Sequence, residues 1–184
     1  MAMQKMAQSL ALRKYRKRAE KQARSLDFSA HLEGVERVLV CLPEAAEEYA
    51  RILPALAGIR KAFPRAHVTL LQSSAIPVST EMVRGFQLVA WGAADLDRLG
   101  GPGVLFRRRL FAESFGLALD LNQEPRFFTL AVMMESGAPV RAGYAGSMRD
   151  ELYTFLVRPG TQNAVQALQT LLTYLGQPES ERRR

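Results

Sequence analysis

"RVLVCLPEAAEEYARILPALAGIRKAFPRAHVTLL", residues 37–71, opens with a continuous apolar run, turns at Pro43, and closes after Pro64 with a second apolar run. Between the runs, Tyr49, Ile52, Leu53, Leu56 and Phe63 recur at helical spacing along one face, the pattern of an amphipathic helix against a core. A strand, a helix and a strand in this order predict parallel strands joined by a crossover helix. The first junction carries Glu44, Glu47 and Glu48 where a dinucleotide fold places glycines. Carboxylates in a first helical turn complement the helix dipole by about 0.3–1 kcal/mol each. Each would oppose a phosphate at about 4 Å by roughly 4 kcal/mol at an effective dielectric near 20. This turn is therefore not read as a phosphate site.

Outward from that unit the alternation continues. "FQLVAW" (86–91) reads as a strand, a polar glycine-rich loop follows, and "VLFRRRLFAES" reads as a helix. "FGLALDL" (115–121) is nearly all apolar, as befits a central parallel strand. A helix is expected from Pro125 to Glu135, stopped by Gly137 and Pro139. "VRAGYAG" and "LYTFLV" are short strand candidates, and Ala164, Val165, Leu168, Leu171, Leu172 and Leu175 mark a last helix ended by Gly176 and Pro178. The reading is one α/β, Rossmann-like, three-layer domain over 33–176 with a mostly parallel sheet, its strands near 36–42, 67–71, 86–91 and 115–121. A helical arm occupies 1–28 and a tail 177–184. No internal repeat is seen.

The chain of 184 residues carries a net charge of +7. Residues 1–25 hold eight Lys/Arg (Lys5, Arg13, Lys14, Arg16, Lys17, Arg18, Lys21, Arg24) against Glu20 alone, so the rest of the chain is neutral. Within a helix over 3–25, Leu12, Tyr15, Ala19, Ala23 and Leu26 form a thin apolar stripe. Such an arm suits nucleic acid, an anionic membrane surface, or docking on the body or a protein partner. Its alanine-rich stripe makes deep membrane insertion the weakest of these. Arg107, Arg108 and Arg109 interleave with Phe106 and Phe111 and make a second basic candidate for an anionic partner, although no RNA-recognition signature is present. Cys41 is the only cysteine, no apolar run reaches membrane-spanning length, and the N-terminus lacks a secretory h-region. A cytoplasmic protein with no integral membrane segment is expected. His31 and His67 stand without metal-ligand spacing, so neither a metal nor a cofactor is expected.

Two stretches, 37–71 and "FGLALDLNQEPRFFTLAVMMESGAPVRAGYAG", resemble the N-terminal, acceptor-binding domain of the family-nine glycosyltransferases, the bacterial lipopolysaccharide heptosyltransferases. The resemblance rests on "LPAL" (53–56), "AFP" (62–64), and Asp120, Leu121, Arg126, Gly137, Ala138, Arg141, Gly143 and Tyr144, over about residues 35–145. It implies that Glu48 stands where the family has its catalytic-base aspartate. Glu47 takes the place of the preceding glycine, and Ala45 and Glu44 replace serines. It also implies a second, donor-holding domain, for which the residues after 160 leave no room.

Asp120 ends a central strand, where open α/β sheets bind ligands. With Asn122, Arg126 and Arg141 it forms the candidate ligand set, and Glu48 is the candidate catalytic residue. The expected function is a non-catalytic binding or assembly module derived from such a domain, its basic arm meeting an anionic partner. The alternatives are the acceptor half of a split glycosyltransferase and an RNA- or ribosome-associated basic protein.

Overall fold

The computed structural model of the protein describes residues 2–23, 32, 34–79, 81–146, 148–158 and 164–176. Elements follow in the order α1 (Ala2–Ala23), β1 (Arg37–Cys41), α2 (Ala46–Ile52), α3 (Ala57–Ala62), β2 (His67–Ser73), β3 (Gln87–Trp91), α4 (Val104–Leu110), β4 (Leu117–Asp120), α5 (Phe127–Glu135), β5 (Val140–Tyr144), β6 (Phe155–Val157) and α6 (Ala164–Gly176). The strands form one six-stranded sheet in the order β3-β2-β1-β4-β5-β6. Every pairing is parallel. This is a Rossmann-like α/β fold, and the strand order reverses between β1 and β4.

Alternation along each strand divides the core. Val38, Val40, Val68, Leu70, Leu117, Leu119, Val140 and Ala142 face Tyr49, Ile52, Leu56 and Ile59 of the α2–α3 segment and Leu168, Leu171 and Leu175 of α6. Leu39, Cys41, Leu71 and Ala118 face Phe106 and Leu110 of α4 and Phe128, Val132 and Met133 of α5. Each fully buried Leu, Ile or Phe contributes about 1.5–3 kcal/mol of transfer free energy. Three layers result because both faces of the sheet are apolar.

The segment read as one helix between β1 and β2 is two. Pro54 has no N–H to donate, so the chain passes through a 3₁₀ turn at Leu53–Ala55 before α3 resumes. The buried face survives the break, with Tyr49, Ile52, Leu56, Ile59 and Phe63 all in the core. Elsewhere the expected strands and helices are present with shifted ends: β2 runs on to Ser73, the helix read over 104–114 stops at Leu110, and the strand read over 152–157 begins at Phe155.

The basic arm is helical, as its pattern indicated, and it lies on α5. Ala19 is buried, and Leu12 and Tyr15 pack on the core cluster of that side. Tyr15 Oη donates to Glu135 Oε1 at 2.5 Å and Gln8 Nε2 to the Leu99 carbonyl at 2.6 Å. Arg16 pairs with Glu151. Arg24, Ala23's side chain, Leu26 and His31 lie outside the described residues, as does the tail 177–184. No described helix is long and apolar enough to cross a membrane.

Candidate functional site

The crevice at the C-terminal ends of β1 and β4 is the place where a sheet of this topology holds a ligand. Two loops border it, one after Cys41 and one after Asp120. Parallel register sets Cys41 beside Asp120 and Asp120 beside Gly143, so whatever follows these strands meets at the same height.

Asp120 has no exposed surface. Its Oδ1 accepts from the Asn122 N–H at 3.0 Å and from Asn122 Nδ2 at 2.8 Å. Its Oδ2 accepts from Arg149 Nε at 3.1 Å and Tyr153 Oη at 2.7 Å. Arg149 is equally buried and also donates to the carbonyls of Asn122 at 2.7 Å and Gln123 at 2.8 Å. Asn122 bridges the two loops, because its Oδ1 accepts from the Glu44 N–H at 2.9 Å and its Nδ2 reaches the Leu42 carbonyl at 3.3 Å. Glu44 accepts from Thr129 Oγ1 at 3.1 Å. Burial pushes the Glu44 carboxyl up from its ordinary value, with Thr129 and Arg126 opposing and Asp120 adding to the rise. Buried charges are stable only when paired and fully hydrogen-bonded, and this network meets that demand within the protein.

Local backbone chemistry aims these groups. Arg149 follows Met148, whose φ of +72° is left-handed and rare for a residue with a side chain. Its turn is closed by the Arg149 N–H on the Gly146 carbonyl and by the Gly146 N–H on Asp150 Oδ1. Gly143 lets Tyr153 cross the strand end: a Cβ there would lie 2.9 Å from Tyr153 Cε2 and 3.1 Å from the Asp120 carbonyl oxygen. Burial first, and Asp120 second, pushes the pKa of both the Tyr144 and the Tyr153 phenol up from its ordinary value, so neither phenol ionises near neutrality. The Tyr144 hydroxyl is buried with no hydrogen-bond partner among the described residues.

Glu48, Asp120 and Asn122 are thus brought to one crevice. Glu48 is half-buried in the first turn of α2, and its Oε2 accepts from the Gln123 N–H at 3.3 Å. Arg126 occupies the N-cap position of α5, makes no capping hydrogen bond through its side chain, and is exposed. Arg141 does not join them. It is buried and donates to the Leu152 carbonyl from Nε at 3.0 Å and to the Ala138 carbonyl from Nη1 at 2.8 Å, roles that hold the sheet edge. Arg149 and Tyr153, which organise the crevice, were not picked out from sequence, and Glu44, read there as a first-turn carboxylate, lies before the Ala45 N-cap and serves the crevice instead. No group of three or more potential metal ligands occurs among the described residues.

The basic candidates separate by burial and pairing. Arg13, Lys14, Lys17, Arg18 and Lys21 point to solvent on α1, while Arg16 is held by Glu151. Arg107 is committed to Glu135, at 2.6 Å from Nε and 3.1 Å from Nη2, and to Asp97. Glu135 thereby links Arg107 to Tyr15 of the arm. Arg109 donates to the Ala90 carbonyl and Asp95 and lies over the Phe106 ring. Arg108 is exposed without an ion pair among the described residues.

Among solved structures, the chain is similar to the crystal structure of a glycosyl transferase family 9 protein from Veillonella parvula DSM 2008, with a TM-score of 0.58 and 17% identity. The match covers 74% of this chain and 41% of that one, so the chain spans about two-fifths of that structure's length. At this identity the likeness establishes the fold, a glycosyltransferase-like Rossmann arrangement. No protein-family model and no curated protein matches the chain.

Proposed function

We propose that this protein is a non-catalytic binding or assembly module on a glycosyltransferase-like fold, and that the solvent-facing cations of α1 meet an anionic partner. The observation that carries the reading is the self-contained crevice. Its buried carboxylate, Asp120, has both oxygens taken by Asn122, Arg149 and Tyr153, and Asn122 ties one bordering loop to the other. A general base must reach a reacting proton within about 2.6–3.2 Å, and Asp120 has no surface from which to do so. The arm supports the second half of the reading. Docked by Leu12, Tyr15 and Ala19, it presents Arg13, Lys14, Lys17 and Lys21 on a fixed support, and a rigid array loses less entropy on binding than a free one.

A second reading, the acceptor half of a split glycosyltransferase, is favoured by Glu48, the half-exposed carboxylate at the crevice rim. In that case the nucleotide sugar is held by a donor half outside the described residues. A third, association with RNA or a ribosome-like surface, is a special case of the anionic partner.

Affinity purification from native cells, with and without nuclease, using wild type and K14E/K17E/K21E, tests the proposal. The expected result is a partner retained by wild type and lost by the variant. Retention of the same partner by the variant, or steady transfer from an ADP-, UDP- or GDP-sugar by the purified protein, would overturn it. Transfer that requires a co-purifying donor-domain partner and is abolished by Glu48→Gln would establish the second reading.

A further inference from the structure

The opposite ends of the strands carry a second basic feature, away from both the crevice and the arm. A trough of about 840 Å³ runs between the end of α3, the start of β2 and the turn that leads into β3. Arg60, Lys61 and Arg84 line it against one carboxylate, Glu81. A smaller hollow of about 310 Å³ shares His67 with the trough and is lined by Arg65 and one further carboxylate, Glu36. Arg60, Lys61, Arg65 and Arg84 are all exposed, and none has an ion pair among the described residues. Elsewhere on the body Arg37, Arg51, Arg107, Arg109 and Arg149 each hold a carboxylate.

The trough also holds a stacked ring and guanidinium. The Arg60 guanidinium lies 5.8 Å from the centre of the Phe86 ring, within cation–π range. Gly85, at φ +85°, makes this seat possible, since a Cβ there would lie 2.5 Å from Arg60 Nη1.

We propose that this trough binds single-stranded nucleic acid, with phosphates along Arg84, Lys61 and Arg65 and a base stacked on the Arg60–Phe86 platform. Several unpaired cations in sequence around two adjoining concavities fit a repeating anion. Guanidinium groups match phosphate oxygens in pairs, and an unpaired base stacks on an aromatic or guanidinium plane. An acidic peptide fits less well, because it has no base to lie on the Arg60–Phe86 platform. The proposal is independent of the arm. The trough is lined by α3, on one face of the sheet, and α1 packs against α5, on the other.

Fluorescence anisotropy with a short labelled mixed-sequence RNA, using the full chain, tests it. The proteins are wild type, R60E/R84E, K61E/R65E and the arm variant K14E/K17E/K21E, each checked for cooperative unfolding. Each trough variant is expected to weaken binding about tenfold or more; at about 0.7 per single-strand phosphate contact, K61E/R65E should reduce the salt slope by about 1.4 and R60E/R84E, which removes one phosphate contact and the stacking seat, by about 0.7. If R60E/R84E fails to fold because the Phe86 contact is lost, K61E/R65E gives the answer. Wild-type affinity in the folded trough variants overturns the proposal whatever the arm variant does. Poly-glutamate competing as well as RNA of equal charge overturns it too, and assigns the trough to an acidic peptide. An effect confined to the arm variant supports the arm reading and refutes this one.

Discussion

Arg149→Met is the substitution that bears hardest on the crevice. The side chain it replaces has no exposed surface and donates to Asp120 at 3.1 Å, to the Asn122 carbonyl at 2.7 Å and to the Gln123 carbonyl at 2.8 Å. Methionine matches much of the volume and none of the charge. Removing one partner of a buried ion pair strands the other, at about 3–5 kcal/mol. The two carbonyls add to that loss only where water cannot reach them, so about 4 kcal/mol is expected in all. For a chain of this length, 1 kcal/mol corresponds to about 2–4 °C, giving a drop in Tm of roughly 8–16 °C. Urea unfolding followed by circular dichroism measures the free energy, with the slope against denaturant held constant as a check on two-state behaviour. Arg108→Met, an exposed arginine without an ion pair among the described residues, should change stability by less than about 0.5 kcal/mol. A loss below about 1 kcal/mol for Arg149→Met would refute the reasoning, because it would mean that water or another cation already serves Asp120.

Gly143→Ala places a methyl group 2.9 Å from Tyr153 Cε2 and should destabilise by about 1–3 kcal/mol through overpacking. Gly137→Ala, where a Cβ meets nothing within 4 Å, should lose about 1–2 kcal/mol from its φ of +73° alone; a loss below about 1 kcal/mol for Gly143→Ala in its urea curve would contradict the packing argument. Glu44 has a folded pKa raised by burial above its ordinary 4.5. The folded state therefore holds the proton more tightly, and the stability Glu44 contributes at low pH is lost as pH rises through the raised value. The stability difference between wild type and Glu44→Gln should fall with pH above about 4.5, and a rising difference would reverse the assignment. Cys41 is buried, and burial pushes its thiol well up, so a thiol reagent should react only after denaturation; rapid labelling of the native protein would show that β1 opens locally.

The sheet was legible because its two central strands are near-continuous apolar runs: Val38–Leu42, and Leu117–Leu121 with Asp120 as its one polar residue, are buried on both faces and admit little else. The helix break at Pro54 was not, because a 3₁₀ turn keeps Leu53 and Leu56 close enough to helical phase that the apolar spacing reads as continuous. Asp120 could be singled out as a carboxylate at the end of a central strand, but its use could not. Its decisive partners, Arg149 and Tyr153, lie 29 and 33 residues away, and a lone arginine between turn residues looks like a solvated side chain. The arm's stripe was visible, while its docking depends on Glu135, 120 residues from Tyr15. Arg60, Lys61, Arg65 and Arg84 form no motif in sequence. Parallel pairing of β2 with β3 brings the segments that carry them together.

The central claim is that the crevice between β1 and β4 is spent on structure, and native-state amide hydrogen exchange tests it most directly. The Asn122 N–H, held by Asp120 Oδ1, and the Glu44 N–H, held by Asn122 Oδ1, close the crevice from its two sides. The account predicts that both exchange only through global unfolding, with an opening free energy equal to that from urea denaturation. Exchange through a local opening several kcal/mol below the global value would contradict it, and would return the crevice to the status of a working ligand site.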